Sequence, residues 1–294
     1  MSAPVEIRLP PWIRARVSNS QDAQRVQRLL HQWSVHTVCH SAACPNHGEC
    51  FSQKKLTFMI MGKVCTRNCT FCNVTPGKPL ALDTEEPERV AAVARELGLS
   101  YVVVTSVTRD DLPDGGAVQF ARTIQALKKV STVKGVEVLI PDFKGSLSDL
   151  EEVVRAQPTV LDHNLETVPR LYTEVRPQAH YGRSLQLLRR AKTLSGRLLT
   201  KSGLMLGLGE QEEEVMTVLA DLRGVDCDFL TLGQYLRPSR QHHPVIRYVT
   251  PEEFQHYQDM AERMGFRGVA SAPLVRSSFN AESLWQTTQS GPKT

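Results

Sequence analysis

Short apolar runs rich in β-branched residues punctuate the chain at 56–61 (LTFMIM), 101–107 (YVVVTSV), 136–140 (VEVLI), 159–162 (TVLD), 198–206 (LLTKSGLML) and 228–232 (DFLTL), with a weaker seventh at 267–271 (RGVAS). Between them, apolar residues recur every three or four positions over 85–97, 117–129, 146–156, 183–194, 212–223 and 251–264. The first set predicts strands and the second amphipathic helices. Strands alternating with helices imply βαβ units, a parallel sheet and right-handed crossovers. Six such units predict an α/β fold, a partial (β/α)6-type barrel. Ahead of it, Val26, Leu29, Leu30 and Trp33 stand at helical spacing within 20–33, and residues 1–19 read as an extended arm docked on the body.

In such barrels the working residues stand at the C-terminal ends of the strands. The segments following the six strands are GKVCTRNCTFC, TRDDLPDGG, PDFKG, HNLET, GLGE and GQYLRPSR. They gather Asp, Asn, Arg and Gly that have no helical periodicity, which marks one face as the functional one. Asp110, Asp111 and Asp114 are expected near the start of the next helix, with Asp114 the favoured cap. Gly115 and Gly116 are expected in a tight turn, and Gly207 and Gly209 where backbone approaches a ligand.

The composition is that of an ordinary globular chain: 294 residues, 41% hydrophobic and 22% charged, too apolar for disorder. The net charge of +4 suits an acidic partner but falls far short of a nucleic-acid-binding signature. No run approaches the roughly 18 apolar residues of a membrane span, and the N-terminal segment has no secretory pattern. These features predict a chain kept in a reducing compartment, the cytoplasm or an organelle, with no membrane or nucleic-acid partner; nothing such as a heptad run argues against a monomer.

The unusual feature is cysteine. Six of the seven cysteines fall between Cys39 and Cys72, and in a reducing compartment clustered thiols bind metal more often than they form disulfides. Cys65, Cys69 and Cys72 form C-x3-C-x2-C just after the first strand. Three soft thiolates on one short loop suit an iron–sulfur cluster with one iron left open, whereas a structural zinc site needs four ligands. Cys39, Cys44 and Cys50 form C-x4-C-x5-C ahead of the barrel. Its spacing alone leaves open a Cys3His zinc site using His40 or His47. Cys227 reads as a buried core thiol.

The C-x3-C-x2-C loop, with Phe71 before its last cysteine, resembles the signature of the radical S-adenosylmethionine enzymes. Together with the second triplet, and with PPWIR, VTSVTRDDLPDGGA, HNLETVPRLYTEVRPQAHYGRSL, KSGLMLGLGE, QYLRPSRQHHPVIRYVTPEEF and APLVRSSF, it makes the chain similar to the lipoyl synthases over about residues 8 to 282. That resemblance implies two [4Fe–4S] clusters and S-adenosylmethionine. The open iron of the first cluster chelates this cofactor, whose reductive cleavage yields a 5′-deoxyadenosyl radical. It implies insertion of sulfur at C6 and C8 of an octanoyl chain on a lysine of a lipoyl carrier domain. Two turnovers of S-adenosylmethionine are consumed, and the second cluster is the sulfur source.

Carried onto this sequence, the resemblance makes Cys65, Cys69 and Cys72 ligands of the first cluster. Cys39, Cys44 and Cys50 bind the second, with a serine of Arg276-Ser277-Ser278 as fourth ligand. Ser278 is the assignment and Ser277 the alternative. Phe279 stands where the family more often has Tyr. Thr105, Asn164, Glu166 and Arg176 become candidate S-adenosylmethionine contacts, with loop capping or salt bridging as the plainer roles.

The implied partners are an octanoylated carrier, either a dehydrogenase E2 subunit or a glycine-cleavage H protein, and an electron donor such as a ferredoxin or flavodoxin. Arg237, Arg240, His242 and His243, with Arg8, Arg14 and Arg16 of the arm, form a candidate basic docking rim. The expected division is 1–54 (arm, helix and second triplet), 55–272 (barrel) and 273–294 (tail with the R-S-S motif). The rival readings are another sulfur-inserting radical enzyme or a non-catalytic zinc or iron–sulfur scaffold.

Overall fold

The structure, a computed structural model, describes residues 8–13 and 20–288. Among the described residues, seven parallel strands form one sheet in the order β1 (Thr57–Ile60), β4 (Tyr101–Ser106), β5 (Gly135–Leu139), β6 (Val160–Asp162), β7 (Leu199–Leu206), β8 (Phe229–Gln234) and β9 (Gly268–Ser271). Each strand pairs only with its sequence neighbours in this set, so the sheet is an open, partial barrel rather than a closed ring. All six runs predicted as strands are strands, and so is the weaker seventh. A separate two-residue pair, β2 (Val64–Cys65) with β3 (Thr75–Pro76), brackets the cysteine loop.

The strands are nearly continuous apolar runs because both faces are covered. All four residues of β1 and all six of β8 are buried, as expected for a parallel sheet layered with helices. The crossovers are α4 (Glu86–Leu97), α5 (Ala117–Lys128), α6 (Leu147–Arg155), α7 (Tyr172–Val175) with α8 (Tyr181–Leu194), α9 (Glu212–Arg223) and α10 (Pro251–Arg263). Their starts are written locally. Ser146 accepts from the Asp149 amide to begin α6. Thr250 and Glu253 form a reciprocal capping box with Pro251 at the first helical position of α10.

The N-terminal elements are α1 (Gln21–Gln32), α2 (Val38–Ser41) and α3 (His47–Ser52), and the described chain closes with α11 (Ala281–Thr287). Helix α1 buries Ala23, Val26, Leu29 and Leu30, the face expected from its spacing. In the arm, Ile13 is buried and Arg8 exposed; Arg14 and Arg16 lie outside the described residues. Helix α11 was not foreseen within the tail: Trp285 stacks on Tyr101 at 5.4 Å between ring centroids, and Glu282 accepts from the Ser100 hydroxyl at 2.7 Å. Helix α11 is therefore packed under the N-terminal ends of β4, β6, β8 and β9.

Candidate active site and cysteine centres

The first triplet leaves the C-terminal end of β1 through Met61 and Gly62, both in the left-handed region (φ 69° and 95°). A non-glycine residue there is held against its preference, a cost concentrated at functional sites. The loop is then clamped on every side. The amide of Thr66 donates to Thr108 O (3.0 Å) and that of Thr70 to Val175 O (3.1 Å). The amide of Asn68 donates to Gln178 Oε1 (2.8 Å), and Gly77 donates to Cys65 O (2.8 Å).

Arg67, inside the C-x3-C spacing, is buried and donates to Asp110 (2.7 Å) and to Asp142 (2.6 Å), which Arg183 also meets at 3.1 Å. Burial opposes the Arg67 charge, but the two carboxylates hold its pKa above the ordinary value. Burial would raise Asp142, yet Arg67 and Arg183 hold its carboxyl well below the usual range. This ion network, which sequence reasoning missed, ties the cysteine loop to the ends of β4 and β5. Its sequence signal was a charged residue between two cysteines and an Asp directly after an apolar strand.

The sulfurs have the chemistry of cluster ligands. All seven cysteines are free thiols. Burial pushes Cys72 up to about 12 and raises Cys69, the latter opposed by the nearby Arg176. Metal loading must therefore displace protons from buried thiols, the usual coupling of a thiolate site to its metal. Cys65 Sγ accepts from the amides of Thr108 (3.3 Å) and Arg67 (3.4 Å), bonds of the kind that tune a cluster's potential. Phe71 packs against the core.

Asn164, Glu166 and Arg176 gather beside this loop. Glu166, also left-handed (φ 67°), is pinned to β7 by its amide donating to Gly203 O (2.9 Å) and its carbonyl accepting from Met205 (2.8 Å). Burial raises the Glu166 carboxyl, while Arg176 and a hydrogen bond from Asn164 oppose the rise. One guanidinium nitrogen of Arg176 donates to Asn164 O (2.9 Å) and Leu165 O (3.0 Å). Its Nε is buried with no hydrogen-bond partner among the described residues, an unsatisfied donor of the kind that calls for an explanation. Thr105 is buried on β4 with its hydroxyl donating to Leu139 O (3.2 Å).

The remaining expectations divide. Asp114 caps α5 by accepting from Gly116 (3.0 Å) and Val118 (3.0 Å). Asp110 and Asp111 instead pair with Arg67 and Arg109. Gly207 faces the Gln234 carboxamide and Arg247 O, so a packing role accounts for it. Cys227 is fully buried in the core.

Of the candidate basic rim after β8, His243 is taken out of the surface, while Arg240 is exposed. His243 is buried, with its amide donating to Thr70 O (2.9 Å) and its Nε2 against Leu208 O (3.0 Å). Arg237 donates to His242 O (2.8 Å) and to Arg240 O, and His242 Nε2 meets Cys72 O (3.1 Å). This loop lies against the cysteine loop through the His243 amide on Thr70 O and His242 Nε2 on Cys72 O.

The second triplet sits on α2, α3 and the turn between them. Cys39, Cys44, Cys50 and Ser278 line a cavity of about 440 Å³ together with Arg276 and Thr57. Burial pushes Cys39 up to about 12 and Cys50 to about 11. Among the described residues, no group of three or more His, Cys, Asp or Glu is arranged to hold a single metal ion. Fit at this triplet is therefore judged on its donors: three thiols and a hydroxyl facing one space large enough for a multi-iron cluster.

The R-S-S segment reaches that cavity from the far end of the chain. Asn46 donates to Leu274 O (2.6 Å), Lys55 to Asn280 Oδ1 (3.2 Å) and Thr57 to Ser278 Oγ (2.7 Å). Ser277 points elsewhere, donating to Asp162 Oδ2 and lying 3.3 Å from Asn164 Oδ1. The segment lies directly on Gly233 of β8, where a Cβ would stand 2.1 Å from Val275 O. A Gly233→Ala chain should therefore lose about 1–3 kcal/mol of stability and also lose iron at the second triplet. Urea unfolding and iron analysis check both, and unchanged iron would separate Gly233 from the seating of the tail.

Comparison with known proteins matches these features. Residues 59–222 match the model of the Radical SAM superfamily. The chain is 57% identical to a lipoyl synthase of Caldanaerobacter subterraneus subsp. tengcongensis, across 94% of this chain and 96% of the relative. It is 55% identical to one of Caldicellulosiruptor saccharolyticus, across 95% and 98%. Its fold is similar to that of Streptococcus suis SuiB bound to S-adenosylmethionine, with a TM-score of 0.58 at 12% identity, covering 80% of this chain and 57% of that one. The parallel strands, the cysteine loop and the near full-length identity agree: the chain belongs to the lipoyl synthase family, radical S-adenosylmethionine enzymes that use iron–sulfur clusters to insert sulfur.

Proposed function

We propose that the two cysteine triplets divide this activity between two [4Fe–4S] clusters. Cys65, Cys69 and Cys72 hold the cluster that receives S-adenosylmethionine. Cys39, Cys44, Cys50 and Ser278 hold the cluster that donates sulfur. The observation that carries the reading is the cavity shared by Cys39, Cys44, Cys50 and Ser278, separate from the cysteine loop at the end of β1. When bound, the first cluster and its ligand supply a radical able to attack an unactivated C–H bond, which no side chain can do.

The chain's own residues position and shield. Arg67, Asp110 and Asp142 fix the cysteine loop. Arg176 offers its unpartnered Nε to the ligand's carboxylate, Asn164 and Glu166 offer hydrogen bonds to its amino or ribose groups, and Thr105 lines the same side. The turn of 237–243 braces the loop backbone at Thr70 O and Cys72 O. A serine oxygen is a weaker ligand for iron than a thiolate, which suits a cluster that must be dismantled to release sulfur.

The acceptor is an octanoyl chain on a lysine of a lipoyl carrier protein, modified at C6 and C8. A dehydrogenase E2 subunit or a glycine-cleavage H protein fits this role. A ferredoxin or flavodoxin supplies electrons, the chain acts as a monomer, and its place is the cytoplasm. No helix among the described residues is long and apolar enough to cross a membrane. In these terms the parts 1–54 and 273–294 supply the ligands of the second cluster (Cys39, Cys44, Cys50 and Ser278), and 55–272 supplies those of the first.

Ser278→Ala tests the ligand set. Wild type should hold about eight irons per chain. The variant should retain the first cluster with a damaged second one, seen as lost iron and an altered Mössbauer spectrum. Full iron and normal lipoyl formation would move the fourth ligand elsewhere.

A further inference from the structure

Residues 277 and 278 face opposite ways at the junction of the two centres. Ser278 Oγ meets Thr57 and the cavity of the second triplet. Ser277 Oγ meets Asp162 and Asn164, two residues apart at the end of β6. Asn164 O accepts from the Arg176 guanidinium (2.9 Å), and Val175 O beside it accepts from the amide of Thr70 in the first cysteine loop (3.1 Å). A continuous path of polar contacts therefore runs from the tail to the first cysteine loop.

The Ser277 hydroxyl has one proton and two acceptors around it. Asn164 Oδ1 is turned toward Ser277, while the carbonyl of the same residue holds the guanidinium of Arg176 (2.9 Å). If the tail withdraws, Asn164 loses that neighbour and its amide is free to rotate. Fixing the tail thus preorganises Asn164 beside Arg176, and preorganised polar groups bind a ligand at a lower ordering cost.

Resting on the ligand reading above, we propose that Ser277 couples the S-adenosylmethionine site to ligation of the second cluster through Ser278, so that occupancy of either centre strengthens the other. Such coupling is reciprocal in equilibrium affinity. Its chemical use is order: the cofactor binds well only to a chain that still has sulfur to give.

The test is anaerobic equilibrium dialysis of S-adenosylmethionine against the full-length protein. Wild type carrying both clusters should bind about three- to ten-fold more tightly than the Cys39→Ala/Cys44→Ala/Cys50→Ala chain carrying the first cluster alone. Introducing Ser277→Ala into both should bring the ratio to about one, while Ser277→Thr, which keeps the hydroxyl, should preserve it. In wild type, saturating S-adenosylmethionine should raise by the same factor the chelator concentration needed to strip the second cluster at equilibrium, a readout that needs no variant. A ratio of one in wild type, or one unmoved by Ser277→Ala, overturns the coupling. Iron analysis separates the two ideas: loss of the second cluster in Ser277→Ala but not in Ser278→Ala overturns the ligand reading itself.

Discussion

Replacing any one of Cys65, Cys69 and Cys72 by Ala should abolish 5′-deoxyadenosine formation, leaving none above the level of a reaction without protein. These thiols stand on one loop whose backbone is clamped to the segment after β4, to α7 and to the turn between α7 and α8 by bonds of 2.8 to 3.1 Å. No other cysteine lies on that loop to substitute, and Cys227 is locked in the core. Loss of one thiolate leaves a cluster with two protein ligands and no defined open iron. Chromatographic assay of 5′-deoxyadenosine under dithionite is the measurement, and the iron of the second cluster should survive. Substantial 5′-deoxyadenosine from any of the three variants would take the cofactor-binding role away from this loop.

Replacing Cys39, Cys44 or Cys50 should give the opposite pattern. Reductive cleavage of S-adenosylmethionine should persist, weakened where coupling through Ser277 operates, while sulfur insertion falls to nothing detectable. The second triplet lies outside the hydrogen bonds that clamp the first loop and outside the Arg67 network, so its loss leaves both standing. Measuring 5′-deoxyadenosine and sulfurated product in the same reaction separates the two outcomes. Equal loss of both products in both sets of variants would contradict the division of labour.

The barrel was legible because its signals are local. Strands such as Tyr101–Ser106 are short β-branched runs between turn residues, and α5 and α9 begin and end within a residue of where their periodicity says. The weak seventh run, Gly268–Ser271, has only half-buried residues, so its apolar pattern is diluted. Helices α2 and α3, with 4 and 6 residues, are too short to show a helical period, and their positions are taken by cysteine, histidine and glycine.

The cysteine triplets were visible because thiols are rare and their spacing is tight. The partners that seat them are not local. Asn46 meets Leu274 across 228 residues, and Arg67 meets Asp142 across 75. The basic stretch 237–243 does not reveal from its sequence that His243 is buried and that Arg237 and His242 meet backbone carbonyls, while Arg240 stays exposed. Ser277 and Ser278 are the same residue type side by side, and only the direction of each side chain separates their roles.

The most direct test gives the chain clusters rebuilt with isotopically heavy sulfide and then an octanoyl-lysyl carrier peptide, S-adenosylmethionine and reductant, with light sulfide in the medium. The account predicts a product heavier by two sulfur atoms, both carrying the heavy isotope, formed at no more than about one per chain while the second cluster is not rebuilt. A product bearing light sulfur, or heavy product from a chain lacking Cys39, Cys44 and Cys50, would contradict it.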